Sequence, residues 1–483
     1  MPQMSGLSIS GVTTHLDKEN LERGPLSGID VLIVGAGIGG LNAAVELYRH
    51  GHNVQLLEAK SNIEGLVDFV GIAPSATRQF NHWPGMAERY RRLTYRPALS
   101  MYRTNGEKLG GPFSIKGVDR TTIPTPISRP KLINFLYEYL TSQGMSINFG
   151  QRVVEYYENL DAGKAGVATQ DGEHFEADLV IAADGVGTKS HSIVAGNNVK
   201  ATSSGFSSYR VAYPTNLAFQ NPHLANELAL EEGGDDICRV YLGTNKHAII
   251  LVSPDITTWI FQHKDYGTSS ESWSRFLGPE DVLKTLEEED EWDQTFIEVI
   301  KQTPAQTIAD YKILWRDPSM EWTSAGGLVL QLGDSAHSFL PTSANGATQA
   351  MEDGISIAAC LRLAGKHNIA LATRVHTRLR SMRVSCAQRG GFKNREKWHH
   401  TDFGEARKHP DKLVMQVGRW INLHDPEKYV YENWTKCVNH LITGSDFVNT
   451  NIPPGYTYKP WTIDQLLNAS EEGQDIEDDG DWS

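Results

Sequence analysis

The sequence predicts an α/β protein: a parallel-sheet domain built from separated segments, with an inserted, mainly antiparallel sheet and a helical C-terminal region. Three observations predict it. A complete strand–helix–strand unit stands within residues 29–58. Two more short apolar runs end in Asp184-Gly185 and Gly333-Asp334, where strands of the same sheet would end. Between them, residues 200–320 switch to an alternation of period two, the mark of half-buried antiparallel strands.

Each element follows from its residues. Ile29–Val34 is a short apolar run rich in β-branched side chains, a buried strand. Gly35–Gly40 reads as a turn, and Leu41–His50 repeats apolar residues at three and four positions, a helix closed by Gly51. Val54–Glu58 is the second strand. Asp178–Ala183 and Gly327–Leu332 are the later strands, the last running into a helix that begins near Gly346, and residues 355–440 read as helical. The resulting division is a flexible leader (1–27), a parallel-sheet domain in two parts (28–200 and 323–395), an inserted antiparallel sheet (201–322), a C-terminal helical region (396–470) and an acidic, disordered tail (471–483).

Composition narrows the function. At 483 residues the chain exceeds one compact core, and 40% hydrophobic with 22% charged residues is ordinary for a globular protein. A net charge of −14 offers no basic field to neutralise phosphates, which excludes nucleic acid as a partner. Cys238, Cys360, Cys386 and Cys437 show neither CxxC nor metal-ligand spacing, so no metal is expected, and the thiols read as buried ones in a reducing compartment. No apolar run of 18 residues and no signal-peptide core occurs, so the expectation is a cytoplasmic monomer or homodimer without an integral membrane segment, and the sequons at Asn433 and Asn468 are read as chance.

The chemistry starts at Gly35-Ala-Gly37-Ile-Gly-Gly40, which fits GxGxxG between a strand and a helix. Gly35 permits the tight turn, Gly37 lets the backbone approach a pyrophosphate, and Gly40 allows close helix–strand packing. Glu58 closes the second strand, where a carboxylate can accept from both ribose hydroxyls of an adenosine half. The unit is Rossmann-like, and by itself it leaves FAD and NAD both open.

Two further segments decide between them. Leu179-Val-Ile-Ala-Ala-Asp-Gly-Val-Gly-Thr-Lys-Ser-His191 and Gly333-Asp-Ser-Ala-His-Ser-Phe-Leu-Pro-Thr-Ser-Ala-Asn-Gly-Ala-Thr-Gln-Ala-Met-Glu-Asp353 complete a pattern. With these, the chain resembles the single-component FAD-dependent aromatic hydroxylases of the para-hydroxybenzoate and salicylate hydroxylase type, and among them the fungal secondary-metabolism members. The resemblance implies that Asp334 accepts from the ribityl chain of FAD and that Pro341 lies beside the isoalloxazine. It implies that the N–H groups of Gly346 and Ala347 stabilise negative charge on the reduced flavin, and that Asp184 and Gly185 touch FAD and the nicotinamide donor. Arg129, in Ile127-Ser-Arg-Pro, matches the family's arginine at a helix start near FAD. Three positions depart from the pattern: His191 replaces an arginine, Thr188 a serine and Asn345 a glutamine, which leaves NADPH versus NADH open.

On the substrate side, the resemblance marks two residues as catalytic candidates. Arg210 matches an arginine at the start of the substrate sheet that stabilises a phenolate or developing oxyanion, and Tyr241 matches a position that deprotonates or orients a phenol. Trp83, Trp259 and His337 are read as packing residues. The activity so implied is hydroxylation or epoxidation of an aromatic or polyketide/indole-type small molecule, with NAD(P)H and O2 as co-substrates, through a flavin C(4a)-hydroperoxide. Two other readings stay open: a flavin dehydrogenase or oxidase without oxygen insertion, and a non-enzymatic flavoprotein scaffold.

Overall fold

The computed structural model describes residues 21–63, 68–196, 201–265, 267, 275–287, 291–415, 417–473 and 479–483. Five parallel strands form one sheet, in the spatial order Val329–Gln331, Leu179–Ala182, Asp30–Val34, Asn53–Glu58, Ile147–Phe149. The expected strand ends therefore do meet: Val34 pairs with Ala182, and Ala182 with Gln331. Strands buried on both faces need unbroken apolar runs, and Val31–Val34, Leu179–Ala182 and Val329–Leu330 supply them.

Helix Ile38–Arg49 begins earlier than the sequence suggested, because Gly39 and Gly40 are already helical. Their lack of side chains sets the packing. A Cβ on Gly40 would lie 2.0 Å from the Gly35 carbonyl oxygen, and one on Gly39 would lie 2.8 Å from Leu332 Cδ2. The same helix crosses Gly346–Ala364 so closely that a Cβ on Gly354 would sit 2.8 Å from Ala43 Cα.

The second sheet has eight strands, ordered Phe276–Leu277, Ile308–Trp315, Thr202–Pro214, Ile256–Lys264, Lys246–Val252, Asp236–Gly243, Pro97–Arg103, Lys108–Phe113. Every pairing is antiparallel except that of Asp236–Gly243 with Pro97–Arg103. Two of its strands thus come from residues 97–113, ahead of the segment 201–322. The 31-residue helix Ile369–His399 spans about 45 Å at 1.5 Å per residue. It lies along Gly346–Ala364 and reaches the second sheet with Trp398 and His399.

Two termini depart from expectation within the described residues. Residues 21–27 are docked, not free: Leu21 is buried and donates its N–H to Gln143 Oε1, and Gly24 donates to the Arg49 carbonyl at 2.7 Å. That carbonyl ends a helix and lacks an intrahelical donor, so the leader satisfies it. At the other end, Asp479–Ser483 fold back. Trp482 packs against Tyr456 and Trp420 with ring centroids 5.1 and 6.3 Å away, and Arg419 N–H donates to the Ser483 carbonyl. One indole gives this acidic stretch the apolar surface to dock. Residues 1–20 and 474–478 of the two expected tails lie outside the described residues.

Candidate active site

The glycine turn fits a dinucleotide for reasons visible in its surroundings. Gly35 has φ +103°, and a Cβ there would meet the Ala183 carbonyl at 2.4 Å, so only glycine fits. At Gly37 a Cβ would meet nothing within 4 Å, which leaves the backbone open to a ligand. Helix Ile38–Arg49 has no side-chain cap and no acidic residue in its first turn, so its N–H groups and dipole face the opening unopposed. Glu58 accepts from Ala36 N–H and Lys60 N–H, one on each carboxylate oxygen at 2.9 Å. It therefore braces the turn, and each oxygen keeps a lone pair.

Asp184 and Asp334 behave differently from one another. Asp184 is bound within the protein: Tyr156 donates to Oδ2 at 2.7 Å and Ser335 to Oδ1 at 3.1 Å, while Gly185 N–H donates to Ser335 Oγ. Burial pushes its pKa up, against the hydrogen bonds from Thr188, Tyr156 and Ser335. Asp184 thus ties two strand ends together, and Gly185, at φ +79°, turns the chain past it. Asp334 accepts no hydrogen bond among the described residues and keeps exposed surface. Protein nevertheless crowds it closely enough to raise its pKa by desolvation, with His337, Arg129 and Arg316 pulling the other way. A carboxylate open on one side and enclosed on the rest is suited to accept from a bound hydroxyl.

Beyond Asp334 the chain turns through Pro341–Ser343, places Ala344 at φ +50° and enters helix Gly346–Ala364. This helix start is also uncapped and free of acidic residues in its first turn, so the N–H groups of Gly346 and Ala347 are available. Asn345 turns its amide back to the Ser343 carbonyl at 2.7 Å and does not cap the helix. Behind this start lies a buried ionic network. Arg383 grips Glu352 at 2.8 and 2.9 Å, and Arg380 donates to Asp353 at 2.8 Å. Against the upward push of burial, Arg383 and Arg380 hold Glu352 well below the usual range, and His337 and Arg380 do the same to Asp353. His337 donates from Nε2 to Asp353 Oδ2 at 2.7 Å inside the core, a packing and bracing role.

Arg129 and Arg210 are brought together by a residue that sequence reasoning missed, Asp68. Arg129 donates to Asp68 at 2.7 and 3.4 Å, and Arg210 Nη1 donates to Oδ2 of the same carboxylate at 3.2 Å. Asp68 is wholly buried, its partners are 61 and 142 residues away, and it sits in a stretch without periodicity, so nothing local marks it. For Arg129, burial is outweighed by Asp68 and the pKa is raised; for Arg210, burial and the neighbouring Arg129 win over Asp68 and the pKa is lowered. Strand Phe69–Ile72 leads from Asp68 to Ala73, whose N–H donates to Thr348 Oγ1. Asp68 thus joins the start of helix Arg129–Ser142 to strand Thr202–Pro214 of the eight-stranded sheet.

Tyr241 is not with them, which corrects its expected place beside the substrate. Cross-strand pairs point to one face: Tyr241 with Ala248, Ala248 with Phe261, Phe261 with Tyr209. Arg210 pairs with Ile260 on the other face. Tyr241 is fully buried, donates to Asp293 Oδ2 at 2.8 Å and stacks on Tyr102, and burial followed by Asp293 lifts its pKa well up. Strand parity, which the sequence alone did not anchor, decided this. Trp83 and Trp259 are core residues as read, bonded through their indole N–H groups to Glu46 and Thr303. His191 Nδ1 accepts from the Gln331 amide N–H at 3.0 Å.

Two uncapped helix starts, an open glycine turn braced by a glutamate, and an aspartate without a hydrogen-bond partner among the described residues suit the parallel sheet to a bound dinucleotide. Residues 28–380 match the family model described as "FAD binding domain". Along its whole length the chain is 37% identical over 473 residues to the FAD-dependent monooxygenase fsr3 of Gibberella fujikuroi, covering 95% of this chain and 91% of that one. It is 38% identical over 488 residues to the FAD-dependent monooxygenase dmxR9 of a Cryptosporiopsis species, covering 98% and 94%. The crystal structure of CtdE in complex with FAD and a substrate superposes with a TM-score of 0.78 at 26% identity, covering 86% of this chain and 99% of CtdE. The chain belongs to the FAD-dependent monooxygenases of this FAD-binding family. Among the described residues, no helix is long and apolar enough to cross a membrane.

Proposed function

We propose that this monooxygenase takes electrons from NADPH or NADH and inserts one atom of O2 into an electron-rich aromatic ring, a phenol or polyketide aromatic, held on the inner face of the eight-stranded sheet. The observation that carries the reading is Arg210: a buried guanidinium on the face towards the flavin segment, tied through Asp68 to Arg129. When bound, FAD supplies the redox chemistry, accepting hydride and activating oxygen.

The chain's own residues do the rest. Gly35, Gly37 and Gly40 shape the diphosphate turn, and Glu58 accepts from the adenosine ribose. Asp334 accepts from a ribityl hydroxyl, and Pro341 flanks the ring system. The N–H groups of Gly346 and Ala347, with the helix dipole behind them, stabilise negative charge at the pyrimidine end. Asp184 and Gly185 set the loop along which the nicotinamide donor approaches. Arg210 holds the substrate oxygen as its anion, which raises electron density in the ring that receives oxygen; because the one carboxylate of Asp68 offsets only one of the two guanidinium groups, a positive charge is left to offer. Residues 201–322, with the strands from 97–113, form the substrate part, and 28–200 with 323–395 the flavin part.

The test is mass spectrometry of small molecules from a producing strain with and without the gene, combined with O2 uptake by purified protein. Accumulation of a phenolic precursor lacking one oxygen, and O2 consumption that depends on that precursor and NAD(P)H, are expected. Hydride transfer without oxygen incorporation would refute the reading.

A further inference from the structure

On the sheet face that carries Arg210, one row of polar side chains crosses three strands: Ser208 pairs with Gln262, and Gln262 with His247. Arg210 joins the row, its Nε donating to Ser208 Oγ at 3.1 Å. Next to this row on the same face, Ile249, Ile260, Val240 and Met101 stand in register as an apolar strip. A buried polar row on an apolar floor needs partners. His247, 3% exposed, has its Nδ1 3.0 Å from Nε2 of His399, the last residue of the long helix. Among the described residues Nε2 of His247 has no hydrogen-bond partner, and Nδ1 of His399 is enclosed without one.

The proton positions follow from chemistry. Burial pushes both imidazoles down, to about 3 for His247 with help from Arg210, so both are neutral at pH 7. Two neutral imidazoles sharing one hydrogen bond have one donor between them. If His247 donated, His399 would bury an unpaired N–H at Nδ1, the rarer and costlier arrangement. His399 therefore donates from Nε2, which is also the intrinsically preferred tautomer, and His247 holds its own proton on Nε2.

Building on the aromatic pocket proposed above, we propose that His247 determines substrate specificity: its Nε2–H, oriented by His399, donates to a second oxygen of the substrate, beyond the one held by Arg210. The strands bearing the two residues are two spacings apart, about 10 Å. The substrate class is accordingly a fused aromatic of two or more rings with oxygens on separate rings, and a simple phenol leaves His247 unpaired. His399 is the positioning residue of the pair.

The probes are 2,6-dihydroxynaphthalene and 2-naphthol, titrated into oxidised holoenzyme and followed by the flavin visible spectrum. Wild type is expected to bind the diol about tenfold more tightly than the mono-ol, the size of one added hydrogen bond in a buried site. His247→Leu should abolish this ratio and His247→Gln, which keeps an N–H, should retain most of it; His399→Leu should lower it and His399→Gln restore part. Equal weakening of both probes in His247→Leu, or an unchanged ratio, overturns the proposal and leaves the aromatic-pocket reading standing. Failure of wild-type holoenzyme to bind either probe overturns both.

Discussion

Replacing Asp68 by Asn isolates the charge that joins the two arginines while keeping the side-chain shape. The carboxylate is wholly buried and takes three hydrogen bonds, at 2.7 and 3.4 Å from Arg129 and 3.2 Å from Arg210. In Asp68→Asn two guanidinium groups share a pocket with no adjacent anion, and the new amide must turn either an N–H towards a donor or its one oxygen to a single arginine. Removing one partner of a buried pair costs about 3–5 kcal/mol. Arg129 has 28% side-chain exposure and feels Asp334 at longer range, so the lower end, about 3 kcal/mol, is expected. The assay is urea unfolding of the holoprotein followed by tryptophan emission and flavin release. Asp68→Asn/Arg210→Met, which removes one cation as well, should recover about half of the loss. A loss below about 1 kcal/mol, the value of an exposed ion pair, would show that Asp68 is not the electrostatic hub.

Asp334→Ala removes the open acceptor, and FAD affinity measured by fluorescence titration should fall by about ten- to a hundredfold, corresponding to about 1–3 kcal/mol; unchanged affinity contradicts the role. Arg210→Gln should retain FAD while product formation drops by roughly 10²-fold and NAD(P)H oxidation diverts to hydrogen peroxide, read by coupled product and peroxide assays. Tyr241→Phe should lose about 1 kcal/mol of stability with its bond to Asp293 yet keep turnover within about twofold; a collapse of turnover would place Tyr241 in catalysis after all. His52 is buried against Ser27 and Ala358, and desolvation lowers its pKa from 6.5 to about 4. Below pH 6.5 the unfolded chain binds a proton that the folded one refuses. Stability is therefore full above 6.5 and falls towards pH 4, by up to about 1.4 kcal/mol per pH unit for this group. Stability of His52→Gln, measured from pH 7 to 4, should fall less steeply by up to one proton, and an identical slope would refute the assignment.

The sequence by itself determined the strands of the parallel sheet and its glycine turn, because each is a local feature. The apolar run ending at Val34 and the glycines that follow it read as a strand and a turn from their own residues, though the turn is shorter than the sequence suggested because the helix already begins at Ile38. Arg210 was singled out by resemblance, in the string Gly205-Phe-Ser-Ser-Tyr-Arg, and its catalytic role rests on the test above. Tertiary structure alone decided which of these work together. Asp68 became the partner of Arg129 and Arg210 only when strand Phe69–Ile72, helix Arg129–Ser142 and strand Thr202–Pro214 converged. The face on which Tyr241 lies was not legible, because a strand's side chains alternate, and which set turns inward depends on register with neighbours that residue order does not reveal. The strands from 97–113 joined the far sheet, and Trp482 docked the acidic end, for the same reason: pairing energies between distant segments exist only after the chain has brought them into contact.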